Sequence, residues 1–223
     1  MGTILTVATS KGGAGKTTLV QCLSINLAAT GYQVTVVDAD PLQAFSEWAG
    51  TVYEGAAKFS FVAQTNEVLV IDQARAAAEA SDVVLLDTPG FQSAVSAAAI
   101  AAADYVMVPL MADRGGIREA IRTSYLVNGL AKTARRTIPH AAIGSAWRAG
   151  GRAEIAILEA LQEAGVPVLK RFLPALAAFR AASVSGRGLS SGRLKLEADG
   201  LISELIERGA IPARPAHHEE TTK

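Results

Sequence analysis

Short apolar runs alternate along this chain with stretches whose apolar residues follow a helical repeat. The run Ile4–Ala8 has the length and composition of a strand buried on both faces, and leucines 19, 23 and 27 then fall on one side of a helix. Strands are predicted at 4–8, 34–37, 59–63, 83–86, 104–110, 138–146 and 166–169. Helices are predicted at 16–30, 42–49, 67–80, 94–103, 117–134, 154–164, 174–185 and 193–208.

Strands that alternate with helices in this way are typical of an α/β fold. We therefore expect one doubly wound, mostly parallel sheet of about seven strands, with helices on both faces. The 223 residues suit one domain, which we place at residues 1–211. The remaining segment, 212–223, is polar and contains proline, and is predicted to be a disordered tail.

A glycine-rich turn joins the first predicted strand to the first helix. Residues 10–18 read S-K-G-G-A-G-K-T-T. Amide groups at a helix N-terminus have no partners within the helix, and glycines let a polyphosphate approach them closely. Lys16 is placed to reach the β- and γ-phosphates, and the Thr17 hydroxyl to bind Mg²⁺. The predicted nucleotide-binding residues are Lys11, Gly12, Gly13, Ala14, Gly15, Lys16, Thr17 and Thr18.

Aspartates follow two of the buried strands. Asp38 and Asp40 come directly after the second strand, and Asp87 closes the run 83–86. Ligands of open α/β sheets bind at the carboxyl ends of the strands, so these carboxylates should lie beside the glycine-rich turn. Asp87 is expected to hold Mg²⁺ as a Walker B residue, and 88–90 to form a switch that senses the γ-phosphate.

Three boxes together resemble the deviant Walker A ATPases of the ParA/MinD family. They are K-G-G-x-G-K-T with its extra Lys11, D-A-D-P followed by Gln43 with Leu42 inserted, and D-T-P at 87–89. The resemblance implies an Mg²⁺-dependent P-loop ATPase that is slow and stimulated by a partner. It also implies the catalytic residues Lys11, Lys16 and Asp40, with Asp40 polarising the attacking water. The implied metal residues are Thr17, Asp38 and Asp87.

The same resemblance implies a cycle. In that family ATP drives a homodimer in which Lys11 would reach the partner subunit's nucleotide. The dimer binds DNA nonspecifically, a ParB-like partner stimulates hydrolysis, and plasmids or chromosomes are partitioned. The implied location is cytoplasmic, and on the nucleoid when ATP is bound.

Charge is distributed unevenly. Residues 1–113 carry a balance of −7 and residues 114–223 one of +7. The segment 170–195 contains six basic residues and no acidic one. This predicts sequence-independent contact with duplex phosphates, without base stacking, because no aromatic residue interrupts its second half. The candidate DNA-binding residues are Arg180, Arg187, Arg193 and Lys195. For the charge asymmetry, the alternative is an acidic half that matches a basic half within the chain. For the basic segment, the alternative is a solvated surface with local ion pairs.

Two loops depart from the family pattern. The family's dimer-face aspartate is displaced here to Asp113, which two glycines follow, and the expected adenine-contacting asparagine is replaced by S-A-W-R at 145–148. Trp147 or Arg148 could stack on a base, and Trp147 could equally serve packing.

Other nucleotide-dependent functions share some of these features. An accessory ATPase of conjugative or T-DNA transfer and a MinD-like membrane-positioning ATPase stay open, although the acidic last helix argues against membrane binding. The lone Cys22 cannot supply a bridging iron–sulfur cluster, and no N-K-x-D guanine box follows the fifth strand. Because the first predicted strand begins at residue 4, we expect neither a signal peptide nor an N-terminal helix-turn-helix, and no apolar run approaches the length of a membrane span.

Overall fold

The sheet consists of six parallel strands in the order β3-β2-β4-β1-β5-β6. The structure is a computed structural model that describes residues 1–90, 92–175, 179, 181, 184–186 and 192–213. The strands are β1 (Thr3–Val7), β2 (Val34–Asp38), β3 (Ser60–Ala63), β4 (Val83–Asp87), β5 (Tyr105–Leu110) and β6 (His140–Gly144). The helices are α1 (Lys16–Ala29), α2 (Ala44–Thr51), α3 (Leu69–Glu79), α4 (Ala94–Ala102), α5 (Arg114–Thr133), α6 (Arg152–Glu163) and α7 (Gly192–Glu207).

Two helical layers cover the sheet. Every residue of β4 and β5 is buried, as expected for strands covered on both faces. One cluster of buried side chains joins the sheet to α1, α2 and α7. Two further clusters join its other face to α3, α4, α5 and α6. The doubly wound α/β fold predicted from the sequence is therefore confirmed.

Strand register brings the predicted carboxylates together. Asp38 at the end of β2 pairs in register with Asp87 at the end of β4. Val7 at the end of β1 is also in register with Asp87, and the glycine-rich turn follows directly. The chain leaves β1 in one direction along the sheet and β4 in the other, which opens a crevice at these strand ends.

The strand count differs from the prediction in the described part of the chain. Residues 166–169 do not extend the sheet as a seventh strand, because only Val168 forms a bridge, to Ala142 of β6. Most of the helix predicted at 174–185 and of the tail at 212–223 lies outside the described residues.

Helix α5 begins three residues earlier than predicted. Asp113 caps it by accepting the Gly116 amide at 2.7 Å, so the glycines expected to form a loop make its first turn. The buried strand-facing side of α5 then continues through Ala120 and Val127.

Helix α7 packs on α1, and one of its acidic residues is buried. Glu204 is only 6% exposed and accepts the amides of Lys170 and Arg171 at 2.9 and 2.8 Å. Glu204 also forms an ion pair with Arg208, so its carboxylate holds the segment around residues 170–171 against α7. No helix in the described part of the chain has the length and hydropathy to cross a bilayer.

Candidate nucleotide site

The glycine-rich turn wraps over the start of α1. Gly15 has φ +91°, in the left-handed region, and a Cβ there would lie 2.2 Å from the Ser145 hydroxyl oxygen. Both constraints require glycine. Ser145 follows β6, and its amide donates to the Leu110 carbonyl at the end of β5. The ends of β5 and β6 therefore lie against the glycine-rich turn and support it.

Lys16 lies at the bottom of a groove beside this turn. Its Nζ atom lies 3.4 Å from the Lys11 carbonyl oxygen, and the residue is 7% exposed. Burial lowers the pKa of Lys16, while Asp87 and Asp40 oppose that shift. The groove has a volume of about 470 Å³. Its lining is Gly12, Gly13, Gly15, Lys16, Thr17, Thr18, Asp40, Leu42, Ala44 and Gly90.

Asp87 has the properties expected of a metal ligand. It is 1% exposed, and neither carboxylate oxygen accepts a hydrogen bond of normal geometry from the described residues. Burial raises its pKa to about 7, which the neighbouring Thr17 hydroxyl partly opposes. A buried carboxylate without donors beside a hydroxyl suits Mg²⁺, which takes one or two protein oxygens and completes its shell with water and phosphate. Thr17 and Asp87 therefore fit the predicted metal site.

Asp38 is engaged by the backbone. Its Oδ2 accepts the Ser46 amide at 2.9 Å, and Oδ1 accepts the Asp40 amide at 3.2 Å. Burial raises the pKa of Asp38, and these amides oppose the shift. Asp38 therefore holds the loop between β2 and α2 in place, next to Asp87 on the neighbouring strand.

Asp40 faces the groove from that loop. Its Oδ1 accepts the Leu42 amide at 3.0 Å in a tight turn. The inserted Leu42 is 82% exposed and lies at the groove's rim. The structure thus brings Asp40 and Lys16 to the same groove, as the sequence predicts.

The loop after β4 closes the groove from the opposite side. A Cβ at Gly90 would lie 3.1 Å from the Gly12 Cα and 3.4 Å from Lys16 Nζ. The Thr88 hydroxyl is fixed by the Val7 carbonyl at 2.8 Å. The predicted switch therefore lies against the glycine-rich turn.

Two contacts that the sequence did not indicate join the turn to α5. Lys11 Nζ lies 2.6 Å from the Asp113 Oδ1, and the Ser10 hydroxyl bonds to the Glu119 carboxylate. Lys11 holds the pKa of Asp113 below its usual range. Asp113 and Glu119 are 102 and 109 residues from their partners, so no local pattern could reveal either pair.

Trp147 serves packing in this structure. It is 5% exposed and lies flat against Gly144, where a Cβ would meet its ring at 2.4 Å. Its amide and carbonyl bond to Leu173 and Ala175. The sequence left base stacking by Trp147 or by Arg148 open. The structure does not support stacking by the buried Trp147, whereas Arg148 lies in the exposed part of the loop.

The predicted DNA-binding residues are only partly described. Arg180 and Arg187 lie outside the described residues. Arg193 and Lys195 lie in the first turn of α7 and face Glu197 and Asp199 four residues on, with N–O distances of 3.6 and 2.5 Å.

Comparison with known proteins agrees with this geometry. The model of the VirC1 protein family matches residues 2–190. Protein ParA of Rhizobium radiobacter is 37% identical over 109 residues, which is 48% of each chain, so the match spans about half of that relative. Maintenance of carboxysome distribution protein A of Gloeobacter kilaueensis is 29% identical over 197 residues, 86% of each chain.

Solved structures share the fold. The apo structure of McdA from Cyanothece superposes with a TM-score of 0.76 at 20% identity and covers 92% of this chain and all of that one. A variant of it in complex with ATP gives 0.73, over 92% and 96% of the two chains.

A parallel sheet whose glycine-rich turn holds a buried lysine beside strand-end aspartates defines a P-loop NTPase of the ParA/MinD type. The match over 2–190 places the chain more closely: it belongs to the VirC1 protein family.

Proposed function

We propose that this chain is an Mg²⁺-dependent ATPase that dimerises on ATP, binds DNA nonspecifically and is reset by hydrolysis. One observation carries the proposal. Lys16, Asp40 and Gly90 come from three separate loops and converge on one groove at the carboxyl edge of the sheet. That convergence supplies a phosphate-binding cation, a carboxylate for water and a sensor of the γ-phosphate.

Each residue has a separate task in this proposal. Lys16 and the amides of 12–18 bind the phosphates, and Thr17 and Asp87 would hold Mg²⁺, which supplies charge neutralisation between the phosphates. Asp40 orients the attacking water, and Asp38 supports both the metal site and the loop that carries Asp40. Burial of Lys16 strengthens its attraction for phosphate because little water screens it.

Dimerisation requires an exchange of partners at Lys11. In this chain Lys11 pairs with Asp113, and their side chains are 27% and 49% exposed. An exposed pair of this kind stabilises by only about 0.2–1 kcal/mol. A second subunit's nucleotide can therefore compete for Lys11, and ATP on the partner would decide the outcome.

DNA is the proposed polyanion. The basic residues Arg180, Arg187, Arg193 and Lys195 would contact phosphates in a sequence-independent way, and dimerisation would place two such sets on one duplex. We further propose a ParB-like stimulating partner, a cytoplasmic location, and association with the nucleoid in the ATP-bound state.

Hydrolysis, dimerisation and DNA binding are tested together. Phosphate release is measured with Mg²⁺ and with EDTA, elution volume by size-exclusion chromatography with and without ATP, and duplex binding by fluorescence anisotropy. The proposal expects Mg²⁺-dependent hydrolysis, a dimer only with ATP, and binding that follows the dimer. A chain that stays monomeric with ATP, or binds duplex equally without it, would reject the cycle.

Two alternatives share this site. One is the accessory ATPase of conjugative or T-DNA transfer that the sequence also suggests. The other is a positioning ATPase, which the similarity to the carboxysome-distribution protein across 86% of each chain supports. The adjacent open reading frames separate them: a ParB-like gene supports partition, a relaxase supports transfer, and carboxysome genes support positioning.

A further inference from the structure

The outward side of α5 carries a row of basic residues. On a 3.6-residue repeat its five long exposed polar side chains fall within about 80° of arc. They are Arg114, Arg118, Arg122, Tyr125 and Lys132. We call these five residues the α5 face. From residue 114 to residue 132 the face extends about 27 Å, at 1.5 Å per residue.

Charge on the α5 face is largely uncompensated. Residues 114–136 contain six basic residues and one acidic residue, Glu119. The Glu119 side chain turns inward to Ser10 and is 15% exposed, and it forms an ion pair with Arg118 at 3.7 Å. In the part of the chain that the structure describes, no carboxylate lies within ion-pair distance of Arg114 or Lys132.

The basic residues in the first turns of α7 are more fully paired than those of the α5 face, on which only Arg118 has a described carboxylate partner. In α7, Arg193 and Lys195 each face a carboxylate one turn on. The α5 face and α7 also lie on opposite faces of the sheet. One straight duplex lying along one of these surfaces of a single subunit would therefore not reach the other.

The helix that carries the α5 face is tied to the nucleotide groove at three points. Asp113 bonds to Lys11, Glu119 bonds to Ser10, and Arg122 donates to the Gln92 side chain at 2.8 Å. Gln92 follows the Gly90 switch by two residues. Movement of either loop on binding ATP would therefore be transmitted to α5.

We propose that the α5 face binds the phosphate backbone of duplex DNA. Four guanidinium or ammonium groups in a row of about 27 Å match a little under one 34 Å turn of a duplex. The Tyr125 hydroxyl, on a residue 67% exposed, can donate to a phosphate oxygen between them.

This inference deepens the proposed function by adding a DNA-binding surface on α5 to the basic residues already proposed around α7, and rests on the proposed function only for the coupling to ATP. The contact itself needs no nucleotide chemistry. With about four phosphates neutralised per subunit, the α5 face should contribute about −3.6 to the slope of log affinity against log salt.

The test uses charge reversal in the full chain. Arg118→Glu with Lys132→Glu is compared with a control pair, Lys58→Glu with Arg75→Glu, which are exposed basic residues of the first half. The probe is a fluorescein-labelled 30-base-pair duplex, titrated between 50 and 200 mM salt with and without ATP. The neutral pair Arg118→Gln with Lys132→Gln is prepared in case the reversed variant fails to fold.

The expected result is a slope flatter by about two units and an affinity at least tenfold lower at about 50 mM salt for the α5 variants only. Equal loss in the control pair, or loss confined to Arg193→Glu with Lys195→Glu, would overturn the proposal. So would α5-dependent sedimentation with phosphatidylglycerol vesicles, or α5-dependent binding of polyglutamate, without an effect on the duplex.

Failure of the proposed function is recognised separately. Binding of a fluorescent ATP analogue is measured on each variant. If no variant binds it, the ATPase assignment fails, while the α5 effect on duplex affinity without nucleotide still decides the present inference.

Discussion

The nucleotide groove and the α5 face both depend on charge, but in opposite settings. In and beside the groove Lys16, Asp38 and Asp87 are nearly inaccessible, and the two aspartates lie in register at the ends of neighbouring strands. On the α5 face each charged group is exposed to solvent. Burial makes a single charge decisive, because its loss leaves its partner unpaired. An exposed charge contributes little free energy, and the contributions of several exposed charges add. Mutations should therefore act sharply in the groove and gradually on the face.

The sharpest expected effect is that of Lys16→Ala. Removing the buried partner of a charged ligand costs about 2–5 kcal/mol, so ATP affinity should fall by about thirtyfold or more. Lys58→Ala, an exposed lysine, is the matched control. Calorimetry measures both. Micromolar ATP affinity retained by Lys16→Ala would contradict the site.

Asp40 should separate binding from hydrolysis. Asp40→Asn keeps an oxygen for the Leu42 amide but removes the carboxylate, so ATP should bind while hydrolysis falls about a hundredfold or more. The variant should accumulate as a dimer in size-exclusion chromatography with ATP. Lys11→Ala should bind ATP and stay monomeric, so identical elution of the two variants would refute both roles.

Asp87 should show the cost of burying a charge in the absence of metal. Its pKa of about 7 in the folded chain exceeds the ordinary 3.8, so the folded state keeps the proton longer than the unfolded state. This contribution to stability is complete below pH 4 and is lost as pH rises through 7. Asp87→Asn removes that loss, worth on the order of 2–4 kcal/mol at pH 8.

Urea unfolding of the metal-free and nucleotide-free protein at pH 4.5, 6 and 8 tests this. The stability of Asp87→Asn relative to the unmodified chain should improve with rising pH up to about 7 and then level off. A difference that does not depend on pH would show that Asp87 is ionised in the fold at every pH tested.

Asp113 connects the nucleotide site with the α5 face, because it binds Lys11 of the glycine-rich turn and caps α5. Asp113→Asn keeps an acceptor for the Gly116 amide but weakens the attraction for Lys11. Releasing a pair worth about 0.2–1 kcal/mol should favour the ATP dimer by up to about fivefold. Sedimentation equilibrium with ATP measures it, and weaker dimerisation would show that Asp113 is needed in the dimer itself.

The smallest effect is expected at Arg193. Arg193→Ala should flatten the salt dependence of duplex binding by no more than about one unit, because Glu197 already competes with phosphate for this side chain. The same duplex titration used for the α5 variants measures it. A loss larger than that of the α5 pair would move the main DNA contact to α7.

The sequence predicted the groove better than the surfaces around it. Gly15, Lys16, Asp40 and Asp87 are all located by local rules, because a strand end or a helix start determines where each residue lies. The start of α5 was missed, since Asp113 recruits two glycines that a local pattern assigns to a loop. The Glu119 contact and the burial of Glu204 depend on distant partners, so amphipathic patterns alone could not show them.

Because those contacts join residues that are far apart in the sequence, they also determine how much of the chain must be synthesised before the groove can form. Ser10 and Lys11 find their α5 partners 109 and 102 residues later in the chain, and β1 pairs only with β4 and β5. At a synthesis rate of about 5–20 residues per second, the strand that begins the chain waits roughly 5–20 seconds for those partners to leave the ribosome. Until α5 has docked, the glycine-rich turn lacks the partners of Ser10 and Lys11, so a nascent chain that has not yet released residues 113–133 should hold nucleotide in this groove less well.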